Sequence, residues 1–547
     1  MHPYIPEMKE LYRKGQISRR EFIRNAALLG LSLSSINSFL GAFPRAATSA
    51  VPTAAPAIKR GGTLRISSRV MRVDHPARMG WVEPSNQLRQ VAEYLTLTDN
   101  NNITTPYLLE KWRPSGDLKT WTLTLRKGIK FNNGEELTAD DVIFSMKQWL
   151  DPKVGSSVLG MMSYLKPTGI VKVDSYTIVL HLDRGQFAVP EHLFHYPAMI
   201  LHRDFEGDFV KKPVGTGPYT LQQYVVGERV TLKRRNDYWQ MGKDSKPLPY
   251  LDEIVYVDLG EEQSAHIAAL QAGKIDSITA PTAATYLALK SDPKLNIASI
   301  TTGQTWALRM RCDKKPWTDN RVRTALKICQ EREKILKLAY FGEGMVGHDA
   351  HVAPVHPEYC KKPIPKYEPE RAKALLAEAG YPDGVTVGLA IGSGWPEVVS
   401  YAETLKASSA RAGFNLKLLT MPNTAYMDIF LTCDFGITRW KHRPLGPMVL
   451  SLVYTIDKND KPVPWNETQW VDKEFATLLT QAEATYDLEK RRAIMCKLED
   501  IQMERGSVGI AFWVNMWAVA TKQFKNIQAH PSTYDLYNEV WYDPQAT

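Results

Sequence analysis

Alternating apolar and polar side chains predict several β-strands in this chain. In the clearest case Trp121, Leu123 and Leu125 share one face of the segment, whereas the intervening threonines and Arg126 occupy the other. Such a segment forms a half-buried strand, because successive side chains of a strand point to opposite faces. Further strand-like runs lie at 61–66, 230–232, 254–257, 385–391 and 416–419. We therefore expect strands at intervals along most of the chain.

Helical signals lie between these runs. Thr138 and Asp141 form a capping-box pattern, which predicts the start of a helix. The expected apolar stripe of this helix consists of Val142, Ile143, Met146, Trp149 and Leu150. A second helix is expected between Pro369 and Gly380, since proline favours the first turn and glycine the position after the last. With a third helix over about 487–506, the pattern predicts a mixed α/β chain.

The first 57 residues have the features of an export signal. Arg19 and Arg20 stand in the sequence SRREFIR, and an uncharged stretch from 25 to 44 follows them. Serines and asparagines dilute this stretch, so it is less apolar than a bilayer-spanning helix of about 20 residues. The pattern looks like a twin-arginine signal peptide followed by a linker over 46–57, and it predicts a periplasmic protein. No cysteine lies in the segment, so a lipid anchor is not expected.

Charge and composition exclude several classes of protein. Of the formal charge of +9, the first 57 residues carry +4, which leaves +5 on the remainder. The basic residues are scattered, so a nucleic-acid partner is not expected. Five cysteines without a C-x-x-C pair predict neither a structural zinc site nor an essential disulfide framework.

The sequence also lacks the common catalytic motifs. We find no G-x-S-x-G elbow, no Walker loop and no zincin motif. A G-x-G-x-x-G match at 342–347 follows a helical segment rather than a strand, which is not the context for dinucleotide binding. Gly215 and Gly217 beside Pro218 are expected to serve a tight turn that requires a positive φ. The protein is expected to be a non-enzyme without a cofactor.

Five separated blocks point together to one family. They are 105–112 with 121–131 and 138–145, then 213–219 (PVGTGPY) with 234–239, 250–254 with 268–276 (AALQAGKID), 315–326 (KPWTDNRVRTAL) and 372–384 (AKALLAEAGYPDG). In this order and spacing the blocks closely resemble family 5 of the bacterial extracytoplasmic solute-binding proteins, the dipeptide, oligopeptide and nickel receptors of ABC importers. The resemblance covers residues 60–547.

The resemblance implies an α/β, two-lobed periplasmic-binding-protein fold of type II, the large peptide-binding class, with an inserted accessory subdomain. It implies lobe I at 58–302 plus 505–547, the accessory subdomain at 97–210 and lobe II at 303–504. A solute would be enclosed between the lobes, and the closed form would dock on the permease. The implied partners are a small-molecule or peptide ligand and an ABC permease at the inner membrane. The protein itself is expected to be a monomer.

One position departs from the family pattern. In peptide-binding relatives a Trp-x-x-Asp stretch of the second lobe supplies a carboxylate to the peptide amino group. The comparable stretch here runs from Trp440 to Arg443, so that an arginine replaces the acid. A guanidinium repels an ammonium group and offers a planar fork to a carboxylate or phosphate. An anionic or modified solute is therefore favoured, unless Arg443 points to solvent or pairs with an acid.

Further candidates share an aromatic or cationic character that suits an enclosed polar solute. The candidate ligand-binding residues are Arg443, Trp440, His442, Arg309, Trp306 and Trp395. Each is equally compatible with a core or surface role. His348, His351 and His356 form the densest histidine cluster, but their spacing matches no metal motif and Pro354 and Pro357 indicate a loop. No metal site is therefore expected there.

Two alternative functions remain open. Some relatives carry nickel or haem, so a receptor for a metal complex is one. The other is a sensory receptor that passes its solute to another periplasmic protein instead of to a permease.

Overall fold

A computed structural model describes residues 58–457, 459–463 and 465–546. The predicted export signal over 1–57 lies outside the described residues. None of the described helices has the length and apolar character that a membrane span requires.

The chain mixes helices and strands along its whole described length, which confirms the α/β prediction. The strands are β1 (Thr63–Ser67), β2 (Thr96–Thr98), β3 (Thr104–Pro106), β4 (Leu109–Pro114), β5 (Thr120–Leu125), β6 (Leu165–Asp174), β7 (Thr177–Leu182), β8 (Tyr219–Val225), β9 (Arg229–Arg234), β10 (Glu253–Val257), β11 (Ser277–Thr279), β12 (Leu295–Met310), β13 (Gly344–Val346), β14 (Val385–Gly392), β15 (Phe414–Met421), β16 (Phe435–Trp440), β17 (Val508–Thr521), β18 (Phe524–Lys525) and β19 (Trp541–Tyr542). All six predicted strand segments coincide with a strand.

The predicted helices are present as well. The helices are α1 (Val82–Leu88), α2 (Ala139–Leu150), α3 (Ser157–Met161), α4 (Val189–His192), α5 (Gln263–Gln271), α6 (Ala283–Leu289), α7 (Asn320–Ile328), α8 (Arg332–Tyr340), α9 (Pro369–Glu378), α10 (Pro396–Ser409), α11 (Asn423–Ile429), α12 (Gly446–Tyr454), α13 (Lys473–Glu483) and α14 (Leu488–Arg505). Short 3-10 turns lie at Pro76–Arg78 and Ala410–Ala412. The capping box is real, since the Thr138 amide donates to Asp141 Oδ2 at 2.9 Å.

Contacts within the chain divide it into two compact units. Unit 1 comprises the described chain up to Ser299 together with the chain from Trp517, and unit 2 is Ile300–Met516. The division points fall inside β12 and β17, so the chain passes from one unit to the other twice, each time within a strand.

Unit 1 is built on a mixed sheet. β1 lies between β10 and β11 and is parallel to both, while β9 and β8 continue the sheet antiparallel to their neighbours. The last part of β17 pairs antiparallel with β11. A separate four-stranded antiparallel sheet has the order β4-β5-β7-β6. In β5 every second side chain is buried, as the alternation predicts.

Unit 2 contains strands in the order β15-β14-β16-β12-β17, with β13 paired to β17. β14 is parallel to β15 and β16, whereas β12 and β16 are antiparallel. This antiparallel pair carries three of the predicted ligand-binding residues, Trp306, Arg309 and Trp440, so its register decides which of them share a face.

Gly215 and Gly217 are needed for space rather than for a positive φ, which corrects the prediction. Neither residue has a left-handed backbone conformation. A Cβ atom at Gly215 would lie 2.0 Å from the carbonyl oxygen of Val91, and one at Gly217 would lie 2.5 Å from that of Gln90. The two backbone segments approach too closely for any side chain.

One disulfide joins Cys360 to Cys496. The two residues are 136 positions apart, so no local spacing signals the pair. The Cys360 amide also donates to Glu499 Oε1 at 2.9 Å, and both contacts attach the loop after His356 to α14. Cys312, Cys329 and Cys433 are free thiols.

Candidate functional site

Three of the predicted solute-binding residues, Trp306, Arg309 and Trp440, lie on strands of unit 2 and are divided between the two faces of its sheet. The register of β12 and β16 places Trp306 opposite Arg439 and Thr305 opposite Trp440. Directly opposed residues of antiparallel strands point to the same face, and neighbours along a strand point to opposite faces. Trp306 and Arg439 therefore share one face, and Trp440 lies on the other.

On its face, Trp440 is held by a buried acid. The Trp440 indole N–H donates to Glu467 Oε1 at 2.8 Å, and Glu467 Oε2 lies 3.3 Å from Arg309 Nε. Burial raises the pKa of Glu467, while the charge of Arg309 and the indole hydrogen bond oppose this rise. The carboxylate thus fixes the indole that it faces.

Arg309 is a component of this support. It is fully buried, and its Nε donates to Thr438 Oγ1 at 2.9 Å. Its Nη1 donates to the carbonyl oxygens of Cys433 and Glu467, both at 3.2 Å. A guanidinium bonded in this way positions Glu467 and Trp440 and does not present itself to a solute, in contrast to the expected role.

The other face carries an aromatic and cationic group. The Arg439 guanidinium lies 5.6 Å from the centroid of the Trp306 ring and donates to Gln304 Oε1 at 3.3 Å. The Trp395 ring lies 5.8 Å from Trp306, which brings two of the predicted tryptophans together. Glu397 follows at the start of α10, and burial raises its pKa while Arg439 lowers it. Arg439, Gln304 and Glu397 were not selected as candidates from the sequence. Arg439 could have been found only from the pairing of β12 with β16, which places it opposite Trp306.

The backbone at Arg443 is fixed by two histidines. His442 is buried, and its Nδ1 accepts the Gly303 amide N–H at 2.8 Å. His356 Nδ1 accepts the Ala353 amide at 3.0 Å, so its Nε2 carries the proton and donates to the Arg443 carbonyl at 3.0 Å. A Cβ at residue 303 would lie 2.7 Å from His356 Nε2, so only glycine fits between the rings.

Arg443 itself is half-buried and keeps its charge available. Its Nη1 donates to the His442 carbonyl at 3.1 Å. Within the described ranges, no carboxylate forms an ion pair with this guanidinium. An anchored backbone with an unneutralised planar cation is an arrangement that can bind a carboxylate or phosphate.

His348, His351 and His356 do not form a metal-ligand set in the described part of the chain. His348 Nε2 lies 3.2 Å from Glu499 Oε2, whereas His356 serves the Arg443 segment. His351 is enclosed by the rings of Trp440, Tyr454 and Trp513, at centroid distances of 5.4, 6.4 and 6.3 Å. Neither of its ring nitrogens has a hydrogen-bond partner among the described residues.

The buried His351 makes unit 2 sensitive to acid. Burial lowers its pKa to about 3, whereas a histidine in the unfolded chain titrates near 6.5. The unfolded chain therefore binds the extra proton as the pH falls from about 6.5 to about 3, and stability is lost over that window.

We expect His351 to contribute about 2 kcal/mol of destabilisation at pH 5 relative to pH 8. In His351→Phe the stability of unit 2, measured by hydrogen exchange, should lose this part of its pH slope. An unchanged slope between pH 8 and 5 would show that His351 is hydrated or already protonated.

Comparison with known proteins identifies relatives over most of the chain. The family model for bacterial extracellular solute-binding proteins, family 5 Middle, matches residues 104–461. The dipeptide-binding protein of Escherichia coli K12 is 26% identical over 468 residues, which cover 78% of this chain and 84% of that protein.

Solved structures share the fold. The PBP AgaA of A. tumefaciens R10, in complex with agropinic acid, has a TM-score of 0.74 at 22% identity and covers 88% of this chain and 99% of its own. The periplasmic binding protein DppA of Helicobacter pylori, in complex with the peptide STSA, has the same TM-score and identity and covers 88% and 98%. The mixed α/β fold is that of the type II periplasmic binding proteins, as predicted.

Proposed function

Because the chain belongs to family 5 of the bacterial extracellular solute-binding proteins, we propose that it is the receptor of an ABC importer and delivers a peptide-like or anionic solute to a membrane permease. Its relatives are binding proteins, and this supports a non-catalytic role. Named peptide ligands among the relatives favour peptide-like solutes over nickel or haem complexes. We further propose that the receptor acts as a monomer.

We propose that Arg443 binds an anionic group of the solute. The single observation that carries this assignment is the half-buried guanidinium on a backbone held by His442 and His356, without an acid to neutralise it. A free peptide amino terminus would be repelled at this position, whereas a carboxylate or phosphate can accept two parallel N–H donors. The agropinic acid in the AgaA complex shows that this fold accommodates an acid. Opines, acidic peptides and sugar phosphates are the solute classes that fit.

The co-purified solute provides the test. The chain, expressed with its first 57 residues, is purified gently, and the small molecule released on unfolding is identified by mass spectrometry. In calorimetric titrations with that molecule, Arg443→Gln should weaken binding about 10- to 100-fold, which corresponds to about 1.4–2.8 kcal/mol. Arg411→Gln is the matched control, because Arg411 is an exposed arginine of the same unit. Equal affinity for Arg443→Gln and the wild type, or a solute without an anionic group, would refute the assignment.

The export route is a separate proposal. We propose that Arg19 and Arg20 direct the folded protein through the twin-arginine pathway and that no lipid anchor follows. Replacement of both by lysine should abolish export, with the precursor retained in the cytoplasm on fractionation. Normal periplasmic yield of the double variant would exclude this route.

Transport and sensing are distinguished by uptake. Deletion of the neighbouring permease genes should abolish uptake of the identified solute if the receptor serves an importer. Unchanged uptake would favour the sensory alternative.

A further inference from the structure

A pocket of about 170 Å³ in unit 1 brings three metal-ligating side chains together. Glu135, His202 and Asp204 line it, and one ligand atom from each lies within 4.8 Å of the other two. Among the described residues, this is the one group of three or more His, Cys, Asp or Glu side chains whose ligand atoms all lie within 4.8 Å of one another. It is built from the turn before α2 and the segment that follows α4, and no residue proposed to bind the solute belongs to it.

His202 is the side chain that distinguishes this pocket from a surface cluster of acids. It is only 4% exposed, yet its Nε2 has no hydrogen-bond partner among the described residues. Glu135 Oε2 lies 3.3 Å from this nitrogen. Two ligands of one tetrahedral ion, each bonded at about 2.0–2.1 Å, are also separated by roughly 3.3 Å. The spacing therefore suits two atoms that share a metal ion.

The side chains around the pocket carry more negative than positive charges, and a divalent cation would neutralise the difference. Arg203 pairs with both Glu135 and Asp141, and Lys212 Nζ lies 2.7 Å from Glu206 Oε1. Together with Asp204 this makes four carboxylates and two cations, which leaves two negative charges uncompensated among these groups.

Binding through Nε2 requires a particular histidine tautomer. His202 Nδ1 now accepts the Asp204 amide at 3.2 Å, an arrangement in which the ring proton is on Nε2. A metal on Nε2 requires the proton to move to Nδ1, so the Asp204 amide must turn away from the ring when the ion binds. The exposed Asp204 side chain acts as a ligand in this arrangement, not as the partner of Nδ1.

We propose that Glu135, His202 and Asp204 form a binding site for a divalent transition-metal ion of the zinc class, separate from the solute-binding residues. One imidazole and two carboxylates are a ligand set that zinc accepts, with water in the remaining position. Magnesium and calcium prefer ligand sets made of oxygen alone, so they should not compete.

The test is a titration of the metal-stripped full-length protein, without a histidine tag, with zinc chloride. We expect one equivalent of zinc to bind and His202→Gln to weaken this binding at least tenfold. Asp204→Asn provides a second variant, since the Asp204 side chain is 66% exposed and its replacement spares the fold. His266→Gln is the matched control, because His266 is another buried histidine of unit 1 and its Nε2 donates to the Gly260 carbonyl instead.

The ligand set is checked by X-ray absorption at the zinc edge, which should show one imidazole among oxygen ligands. Absence of zinc binding, retention of full affinity in both His202→Gln and Asp204→Asn, or a shell of several imidazoles would overturn the proposal. The titration uses no solute, and Arg443→Gln should bind zinc normally. Failure of the zinc site is thus distinguishable from failure of the proposed function.

Discussion

Arg309→Met is expected to destabilise unit 2 by about 3–5 kcal/mol. The arginine and Glu467 are both buried and their side chains are 3.3 Å apart at Nε and Oε2. Methionine would fill much of the volume but would leave the buried Glu467 carboxylate without the cation beside its Oε2, while the Trp440 indole still donates to Oε1. Removing one partner of a buried pair costs more than the pair itself contributes, because the other charge stays unsolvated.

Hydrogen exchange of the β12 and β16 amides measures this loss within unit 2. The double variant Arg309→Met/Glu467→Leu removes both charges and should recover most of the stability. Arg411→Met is the surface control, since the Arg411–Glu370 pair is more than half exposed, and it should change stability by less than about 0.5 kcal/mol. A loss below about 1 kcal/mol in Arg309→Met would mean that water reaches the pair.

Local structure could be predicted from the sequence because its causes are local. The alternation in β5 arises from the two-residue period of a strand, and the start of α2 arises from a side chain three residues into the helix. Neither feature depends on which distant segment packs nearby. The same holds for α9, which begins at Pro369 as the proline indicates.

The arrangement of the candidate site depends on contacts that are remote in sequence. Trp306 meets Arg439 because β12 pairs with β16 in one register, and a shift by one residue would have exchanged the two faces. The bonds of His442 to Gly303 and of His356 to the Arg443 carbonyl likewise join segments with no shared motif. The sequence motif could single out Arg443 as a candidate, whereas the residues that hold its backbone could be found only from the tertiary structure.

Arg309 illustrates a more general ambiguity. A buried arginine beside tryptophans has the same sequence appearance whether it binds a solute or an internal acid. The partner that settles the matter, Glu467, is 158 residues away. In this unit Arg309 is bonded to buried groups, whereas the half-buried Arg443, which we propose binds the solute, forms no ion pair with a carboxylate of the described residues.

Another buried ion pair of unit 2, Arg491 with Glu358, is expected to contribute as much to stability as Arg309 with Glu467. Arg491 Nε donates to Glu358 Oε1 at 3.1 Å, and both side chains are fully buried. Glu358 Oε2 also accepts the Gly446 amide at 3.2 Å, at the first turn of α12, where the helix dipole favours a negative charge. Gly446 follows Arg443 by three residues, so this ion pair holds the far end of the proposed solute-binding segment.

Arg491→Met is therefore expected to destabilise unit 2 by about 3–5 kcal/mol and to weaken solute binding in parallel, since α12 and the Arg443 segment lose a common support. The double variant Arg491→Met/Glu358→Gln keeps the shape of the acid and removes its charge, and its stability should lie well above that of the single variant. Hydrogen exchange of the α12 amides and titration with the co-purified solute measure the two effects. If the double variant were as unstable as Arg491→Met, the loss would come from packing and from the Arg491 bonds to the Thr485 and Tyr486 carbonyls, not from an uncompensated Glu358.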